Sequence, residues 1–499
     1  MKRKALNAIT SVMLQMATVV CGFVLPRMIL AHYGSDVNGL VQSISQFMGY
    51  IVLAELGVGA VLQSALYGPL ARRDWDQVSR VMKSGRRFYR GVAVALAAYA
   101  GALMLLYPKL KRVADSFSAP YVAGLIAIMT VAPLAGYWID AGSQLLMIAD
   151  RRGYVVYLTT LAATLLNTAA CALTMRLGGT IQQVRLVMAA FGIATALLYW
   201  LEAKRRYPLN YRVALRGEPI AQKWNGIGQH VAFVVLENTD VAVLTLFSTL
   251  SNVSVYTVHH LVVYGVKKLF TSVTHSMQAE LGALWVAGDR AALNRFFGRF
   301  ESATHYAATL LFSCTGVLIV PFVTVYIGNV SDAEYIQPLF AALMVLAHGM
   351  NCLRDPYDKL VMAAGHFKQT QGSYIFAAAL NLGVSIAAVR SLGLVGVAVG
   401  TMAAMAFQIL WLALYDSRAL LKRPATVLFK RLAVDAVTAA AIVLAGRLVP
   451  AFGAGYLGWA LRAALVALIG AAITAAAALL FDRKDALALI RWLRRRALR

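Results

Sequence analysis

Several ionisable side chains stand inside long apolar runs of this 499-residue sequence, where lipid is the expected surrounding. A charged group at the centre of a bilayer costs about 2.5–3.5 kcal/mol on insertion scales, so such groups normally face a bundle interior or a water-filled cavity. Glu237 lies near the middle of the run 226–247, and Asp240 follows almost one helical turn later. Carboxylates at this depth predict binding of H⁺ or Na⁺. A structural hydrogen bond to a neighbouring helix is the alternative.

Two adjacent lysines, Lys267 and Lys268, follow an apolar run over 253–266. That run is too short to cross a bilayer, which favours a place within the membrane for the lysines. A short helix whose lysines reach the cytoplasmic surface is the alternative. His259 and His260 stand two turns earlier on the same predicted helix, and their imidazoles would extend a polar, protonatable wall.

Charged residues also interrupt three other apolar runs. Arg354 and Asp355 stand together in a later run, and Asp140 occupies the corresponding position of an earlier one. A local ion pair between Arg354 and Asp355, with no role in binding, is the alternative to a functional site. Arg27 follows Pro26, which should loosen the first helix and leave backbone carbonyls free near a cation. An Arg27 side chain that reaches the headgroups fits equally well.

Together these side chains predict a chamber of mixed charge within the membrane. The candidate cations are Lys267, Lys268, Arg354 and Arg27, and the candidate polar or ion-coupling groups are Glu237, Asp240, Asp140, Asp355, His259 and His260. Fixed cations suit a diphosphate, because an anion entering a low-dielectric site needs positive partners. We assign no catalytic residue, no metal ligand and no cofactor other than a coupling ion. The sequence contains no Walker loop, zincin helix or Gly-x-Ser-x-Gly elbow.

Transmembrane helices are the elements that must hold these side chains. Hydrophobic residues make up 60% of the chain, and its mean hydropathy is +0.67. Apolar windows near or above the roughly 20 residues that cross a bilayer recur from end to end. The predicted fold class is therefore an all-α polytopic membrane protein with about fourteen transmembrane helices.

The net charge of +25 is distributed unevenly along these predicted spans. Most lysines and arginines fall in segments that alternate with the spans on one side, as the positive-inside rule requires of cytoplasmic segments. This pattern predicts a multi-pass membrane protein with both termini in the cytoplasm. The basic segments suit anionic membrane lipids, and we expect no nucleic acid partner.

Pairs of matching residues predict an internal repeat. Asp74, Arg80 and Asp140 recur 215 residues later as Asp289, Arg295 and Asp355. Two copies of a transmembrane half around a shared axis place a binding site near mid-membrane, which is the plan of a transporter. The predicted domains are an N-terminal six-helix lobe (1–203), a basic cytoplasmic linker (204–225), a C-terminal six-helix lobe (226–415), a cytoplasmic loop (416–431), an extra helix pair (432–481) and a basic cytoplasmic tail (482–499).

Short motifs resemble one family of exporters. The segment 25–47, the Glu-Leu-Gly-Val-Gly at 55–59 and the Leu-Tyr-Gly-Pro-Leu-Ala at 66–71 are similar to the opening of Wzx-type polysaccharide flippases, as are 238–247 and 252–256. These flippases belong to the multidrug/oligosaccharidyl-lipid/polysaccharide (MOP) exporter superfamily. The resemblance implies a MATE-like fold and export of an undecaprenyl-diphosphate-linked oligosaccharide by alternating access. It also implies a cationic lumen and a place beside the polymerase and glycosyltransferases of one surface-polysaccharide pathway.

Four other functions remain open at this stage. A lipid II flippase shares the fold and the cationic cavity, but Arg27 does not match the arginine pattern expected in its first helix. An ion-coupled multidrug antiporter of the same fold would prefer an acidic cavity. A membrane glycosyltransferase or polymerase should carry a large outer loop, which the sequence lacks, and a non-transporting scaffold would not need charges within the membrane in both halves. We therefore expect a secondary-type transporter rather than an enzyme.

Overall fold

The computed structural model describes residues 2–51, 55, 58–140, 142–214, 227–274 and 277–483, and they form helices joined by short turns. The helices of seven or more residues in these ranges are α1 Lys2–Gly49, α2 Val58–Arg72, α3 Trp75–Leu106, α4 Ala119–Ala135, α5 Ser143–Ala149, α6 Gly153–Arg176, α7 Ile181–Arg206, α8 Ile227–Phe247, α9 Leu250–Thr274, α10 Met277–Ala287, α11 Arg290–Ile327, α12 Pro338–Ala364, α13 Phe367–Leu392, α14 Leu394–Tyr415, α15 Thr426–Arg447 and α16 Tyr456–Phe481. Short turns at Tyr107–Lys109 and Lys111–Ala114 follow α3, and π-helical turns at Gly136–Asp140 and Asp416–Leu421 extend α4 and α14.

The described helices match the predicted number of spans. Nine helical segments there are long and apolar enough to cross a membrane by length and composition. We count the part of α1 after Gly34 together with α2, α4 together with α5, and α9 together with α10 as one span each. Counted in this way, the helices make fourteen spans, which confirms the predicted fold class of an all-α, multi-pass membrane protein.

Glycine permits two local features of the first two spans. Gly34 interrupts α1 with φ 80° and ψ 178°, a conformation that a side chain would strain. Gly39 lies against the start of α9, where a β-carbon would come within 1.9 Å of the Leu250 carbonyl oxygen. Asp36 accepts a hydrogen bond from Ser251 at 2.6 Å beside this contact. Gly34 therefore permits a kink within α1, and Gly39 lets the backbones of α1 and α9 approach closely.

The chain divides by its internal contacts into two compact units. Unit one comprises Met1–Val234 with Thr249–Val253, and unit two comprises Val235–Ser248 with Ser254–Arg499. In unit one, α3 packs against α4, α4 against α7, and α6 against α7; in unit two the corresponding pairs are α11 with α12, α12 with α14, and α13 with α14. The same three pairings of spans thus occur in both units, as a duplicated lobe requires.

Matched residues of the repeat perform the same structural task at the start of the third span of each unit. The side chain of Asp74 accepts a hydrogen bond from the backbone N–H of Gln77 at 2.9 Å and caps α3. The side chain of Asp289 accepts one from the N–H of Ala292 at 2.8 Å and caps α11. A carboxylate at this position satisfies a backbone donor and opposes the positive end of the helix dipole.

The extra helix pair packs at one side of unit two. α15 and α16 pack against each other and against α11. Their apolar contact centres on Cys314, Val317 and Leu318 of α11 with Ile442 and Val466 of the pair. This contact places two further helices beside the C-terminal lobe, as the predicted fold requires.

Candidate transport site

Four helices of unit two bring oxygen atoms together around Asp240. The Asp240 carboxylate lies on α8 and is 9% exposed, and its Oδ2 accepts hydrogen bonds from Tyr256 of α9 and Thr401 of α14, each at 2.9 Å. Thr239 donates to the Asn381 side-chain oxygen at 3.1 Å, and Asn381 of α13 donates to Thr401 at 3.1 Å. We call these five residues the Asp240 cluster. A buried carboxylate with hydroxyl and amide oxygens suits H⁺ or a hard cation such as Na⁺.

Glu237 precedes Asp240 by nearly one turn of α8. Its side chain lies outside the part of the structure that is described. Its role in ion coupling therefore stays a prediction.

The two predicted lysines differ in their surroundings. Lys267 is 8% exposed although it is charged, whereas the next residue, Lys268, is exposed. Both lie within α9, which continues beyond them to Thr274. A buried cation costs free energy unless charges or dipoles compensate it, so Lys267 is the better candidate for a substrate cation.

The two histidines of α9 also face different neighbours. His259 is fully buried, donates from Nδ1 to the Val255 carbonyl at 2.9 Å and packs edge-on against Phe340 of α12. His260 stacks on Tyr256 at 5.5 Å between ring centroids, and Tyr256 is the residue that donates to Asp240. His260 is thus joined to the Asp240 cluster through one aromatic ring, while His259 lies in the packing between helices.

Arg354 is directed into the helix packing of unit two. Its side chain is 5% exposed, it donates to the Gln408 side-chain oxygen of α14 at 3.2 Å, and its guanidinium lies 5.9 Å from the centroid of the Tyr374 ring of α13. Asp355 forms an ion pair at 3.6 Å with Lys359, one turn along α12. The structure therefore adds Lys359 to the intramembrane charges, and sequence reasoning missed it.

The two predicted residues of unit one lie on different helices. Arg27 is half-buried on α1, directly after Pro26. Asp140 is 6% exposed at the end of the π-helical turn, and its backbone carbonyl accepts a hydrogen bond at 2.7 Å from the hydroxyl of Ser143, at the start of α5. The Asp140 side chain is thus buried next to the start of α5, and its role in a polar lumen stays a prediction.

The described helices define a class of membrane fold. Two matched sets of six spans are followed along the chain by an extra helix pair. Solved structures show the same fold. A structure titled lipid II flippase MurJ, inward closed conformation, is similar over 96% of this chain and 99% of its own, with a TM-score of 0.72 and 12% identity. An inward-facing multidrug resistance MATE family transporter of the MOP superfamily covers 83% of this chain and 98% of its own, with a TM-score of 0.63 and 14% identity.

A third solved structure, the eukaryotic MATE transporter AtDTX14, covers 86% of this chain and 98% of its own, with a TM-score of 0.59 and 12% identity. No protein-family model matches the chain. The comparison with curated proteins gives no match either. The described helices thus share the fold of a lipid II flippase and of MATE transporters, and the predicted MATE-like fold is confirmed.

Proposed function

We propose that this chain is a flippase that moves an undecaprenyl-diphosphate-linked oligosaccharide from the inner to the outer leaflet of the bacterial cytoplasmic membrane by alternating access. The observation that carries the proposal is the fold shared with a lipid II flippase over 96% of this chain and 99% of the other. The MATE transporter with a TM-score of 0.63 covers 83% of this chain. The structure of the flippase therefore matches a larger share of this chain than the structure of the MATE transporter does.

Buried charges of unit two support the choice of substrate. A diphosphate that leaves water for a low-dielectric site needs fixed cations, and Lys267 is a buried cation on α9. Lys268, the next residue along α9, and Arg27 of unit one stay predicted cations for this substrate. Arg354 contacts both Gln408 and Tyr374. In this proposal it holds these two side chains in position and does not itself bind the diphosphate.

In this proposal the Asp240 cluster is the site that binds the coupling ion. Its carboxylate and hydroxyl groups come from helices α8, α9 and α14, so an ion bound there changes the packing of three helices at once. Binding free energy that differs between two conformations is what shifts a transporter from one to the other. H⁺ and Na⁺ both fit the oxygen ligands, and Glu237 would add a second carboxylate.

Flipping of lipid II is the second candidate function, because the solved structure with a TM-score of 0.72 carries that substrate in its title. The two candidates share a lipid diphosphate and differ in the attached sugars. The multidrug reading rests on the titles of the MATE structures, and it would require a cationic or apolar drug as substrate.

Reconstituted vesicles separate these functions. The purified chain is placed in proteoliposomes with one of three fluorescent probes: an undecaprenyl-diphosphate oligosaccharide, lipid II, or an amphipathic organic cation. Loss of fluorescence after addition of a quencher that does not cross the membrane reports movement between leaflets. The proposal expects movement of the oligosaccharide probe above that of lipid II. Faster movement of lipid II would establish the second candidate, and transport of the organic cation alone would contradict both.

The same proposal places the chain beside a polymerase and glycosyltransferases of one pathway, with both termini in the cytoplasm. Loss of surface polysaccharide in a deletion strain, with lipid-linked oligosaccharide accumulating in the inner leaflet, is the expected cellular result. A normal polysaccharide level in that strain would contradict the assignment.

A further inference from the structure

A second cluster of buried ionisable groups lies in unit two, away from the residues assigned to transport. It joins α11, α12, α15, the segment before α15 and the end of α16. Its members are Glu301, His305, Tyr357, Arg423, Arg431, Asp435 and Asp482. We call it the His305 network. Sequence reasoning selected none of these residues, since most stand near the predicted ends of spans.

Glu301 is the fixed negative charge of the network. Its side chain is fully buried and accepts hydrogen bonds from both amino groups of Arg423, one of them at 2.7 Å, and from Nε of Arg431 at 3.0 Å. Burial alone would lower the pKa of the Arg423 guanidinium, but its hydrogen bond to Glu301 and the charge of Glu301 raise that pKa above its usual value. Two guanidinium groups on one carboxylate keep Glu301 ionised.

Tyr357 links this carboxylate to His305. Its hydroxyl donates to Glu301 Oε1 at 2.7 Å, and the hydroxyl oxygen of Tyr357 also lies 3.4 Å from His305 Nε2. A tyrosine hydroxyl carries one proton, and an ionised carboxylate can only accept. The proton of Tyr357 therefore belongs to the bond with Glu301, and the hydroxyl presents a lone pair to the imidazole.

The other ring nitrogen of His305 also faces an acceptor. Nδ1 lies 2.6 Å from Asp435 Oδ2, and Asp435 Oδ1 accepts a hydrogen bond from Thr309 at 3.0 Å. A neutral imidazole has one N–H and can donate to only one of these two acceptors. Both hydrogen bonds form only when His305 carries two protons and a positive charge.

The charges of the network agree with this count. Its hydrogen-bonded members include three carboxylates (Glu301, Asp435 and Asp482) and two guanidinium groups (Arg423 and Arg431), so one further positive charge makes it neutral. A protonated His305 supplies that charge, and an uncompensated buried charge is costly. The other ionisable groups that face the network are Tyr306, the exposed Lys430 and, beyond Arg423, the buried Asp416.

The network holds the extra helix pair from one side. Asp435 and Arg431 of α15 bond to α11, and Asp482, after the end of α16, accepts hydrogen bonds from Ser302 and Tyr306 of α11. α15 also borders a cavity of about 510 Å³, which Asp435 and Thr309 line and whose other walls, from α11, α12 and α14, are mostly apolar. The hydrogen bonds of Arg431 and Asp435 to α11 therefore help to hold α15 in place beside this cavity.

We propose that His305 is a proton-binding site that fastens the α15–α16 pair to α11. With the second proton bound, the imidazolium bridges Asp435 and Tyr357, and the pair is held. Loss of that proton leaves two acceptors facing one donor and removes the positive charge that balances Asp435, so the pair is held to α11 less firmly. An effect of cytoplasmic pH on transport follows, and that effect rests on the proposed function, whereas the fastening does not.

A native cysteine reports this fastening without any transport assay. Cys314 of α11 is buried, and its Sγ lies 3.8 Å from the Val466 carbonyl of α16. The full chain carries Cys21→Ala, Cys171→Ala and Cys352→Ala, so a membrane-permeant maleimide labels Cys314 alone. Its labelling rate is divided by that of a free thiol at the same pH, which removes the pH dependence of the reagent chemistry.

This ratio should rise roughly tenfold as the pH is raised, because the hydrogen bond between His305 and Asp435 is no longer charge-assisted on both sides once the imidazolium has lost a proton. In the variants His305→Gln and Asp435→Asn the ratio should be high and independent of pH. The matched control is His366→Gln, since His366 also bonds to a tyrosine of unit two, Tyr415 at 2.8 Å, and should leave the rise unchanged.

A ratio that stays flat in the protein with His305 intact overturns the proposal, as does a rise that persists in His305→Gln. If His305→Gln fails to accumulate in the membrane, the Asp435→Asn variant and the curve of the intact protein still decide the matter. Failure of the flipping assay with a positive labelling result would refute the proposed function and leave this site standing.

Discussion

Unit one and unit two share a scaffold, and their carboxylates perform two different tasks. The half-buried Asp74 of unit one and the exposed Asp289 of unit two each cap the start of a helix. Asp240 and Glu301 of unit two instead join side chains from three helices or more. The two units thus share a capped helix start, while unit two carries charged clusters that connect its helices.

The largest expected effect concerns the buried network of unit two. Glu301→Gln should lower the free energy of unfolding by about 3–5 kcal/mol, because Arg423 and Arg431 lose the buried carboxylate that they share. The matched control in unit one is Glu202→Gln, which breaks a partly exposed ion pair with Arg206 and should cost less than about 1 kcal/mol. Denaturant or thermal unfolding of the purified variants measures both. Equal losses would remove the contrast between the units.

The next effect concerns transport. Asp240→Asn should slow ion-driven transport by roughly a hundredfold, or about 2.7 kcal/mol, because the amide cannot bind a proton or balance a cation. Its folding should hardly change, since the amide oxygen still accepts hydrogen bonds from Tyr256 and Thr401. Asp74→Asn is the control, because asparagine caps a helix as well as aspartate does. Transport by Asp240→Asn at the rate of the control would show that the cluster is only structural.

The two adjacent lysines sharpen the comparison within unit two. Lys267→Gln should weaken binding of the lipid diphosphate roughly tenfold, about 1.4 kcal/mol, because a buried cation acts in a low dielectric. Lys268→Gln should weaken it less than about twofold, because solvent and salt screen an exposed charge. Direct titration of purified protein with the lipid measures both affinities. A larger effect at Lys268 would place the substrate on the other side of α9.

The smallest effect tests what the units share. Asp74→Ala and Asp289→Ala should each destabilise the protein by about 1 kcal/mol, since each removes one capping hydrogen bond at the same point of the repeat. The two losses should add in the double variant, because the caps share no partner. Unfolding measurements on the three variants give the values. A large loss of stability at one position and none at the other would mean that Asp74 and Asp289 do not stabilise their helices in the same way.

Most of the fold could be predicted from the sequence, because long apolar runs and the positive-inside pattern depend on local composition. The fourteen spans and the repeat follow from such local signals, and Asp74 with Asp289 showed the repeat through a helix start that recurs at one offset. The Gly34 break could be predicted for the same reason, since glycine and short polar residues interrupt the apolar run.

The candidate site could be predicted only in part, because depth in the membrane does not say which way a side chain points. Lys267 and Lys268 stand at nearly the same depth, and only the packing of α9 buries the first and exposes the second. Thr401 and Tyr256 carry no charge, so nothing in the sequence joined them to Asp240. In the sequence, Arg423 and Arg431 are typical of cations in a cytoplasmic segment. Only the structure shows that both form ion pairs with the buried Glu301.

The most direct test of the central claim is the flipping of a fluorescent undecaprenyl-diphosphate oligosaccharide in proteoliposomes under an imposed H⁺ or Na⁺ gradient. The intact protein should move the lipid between leaflets, one of the two gradients should accelerate it, and Asp240→Asn should not respond to either gradient. Absence of movement with the intact protein, or an equal response of Asp240→Asn, would contradict the account.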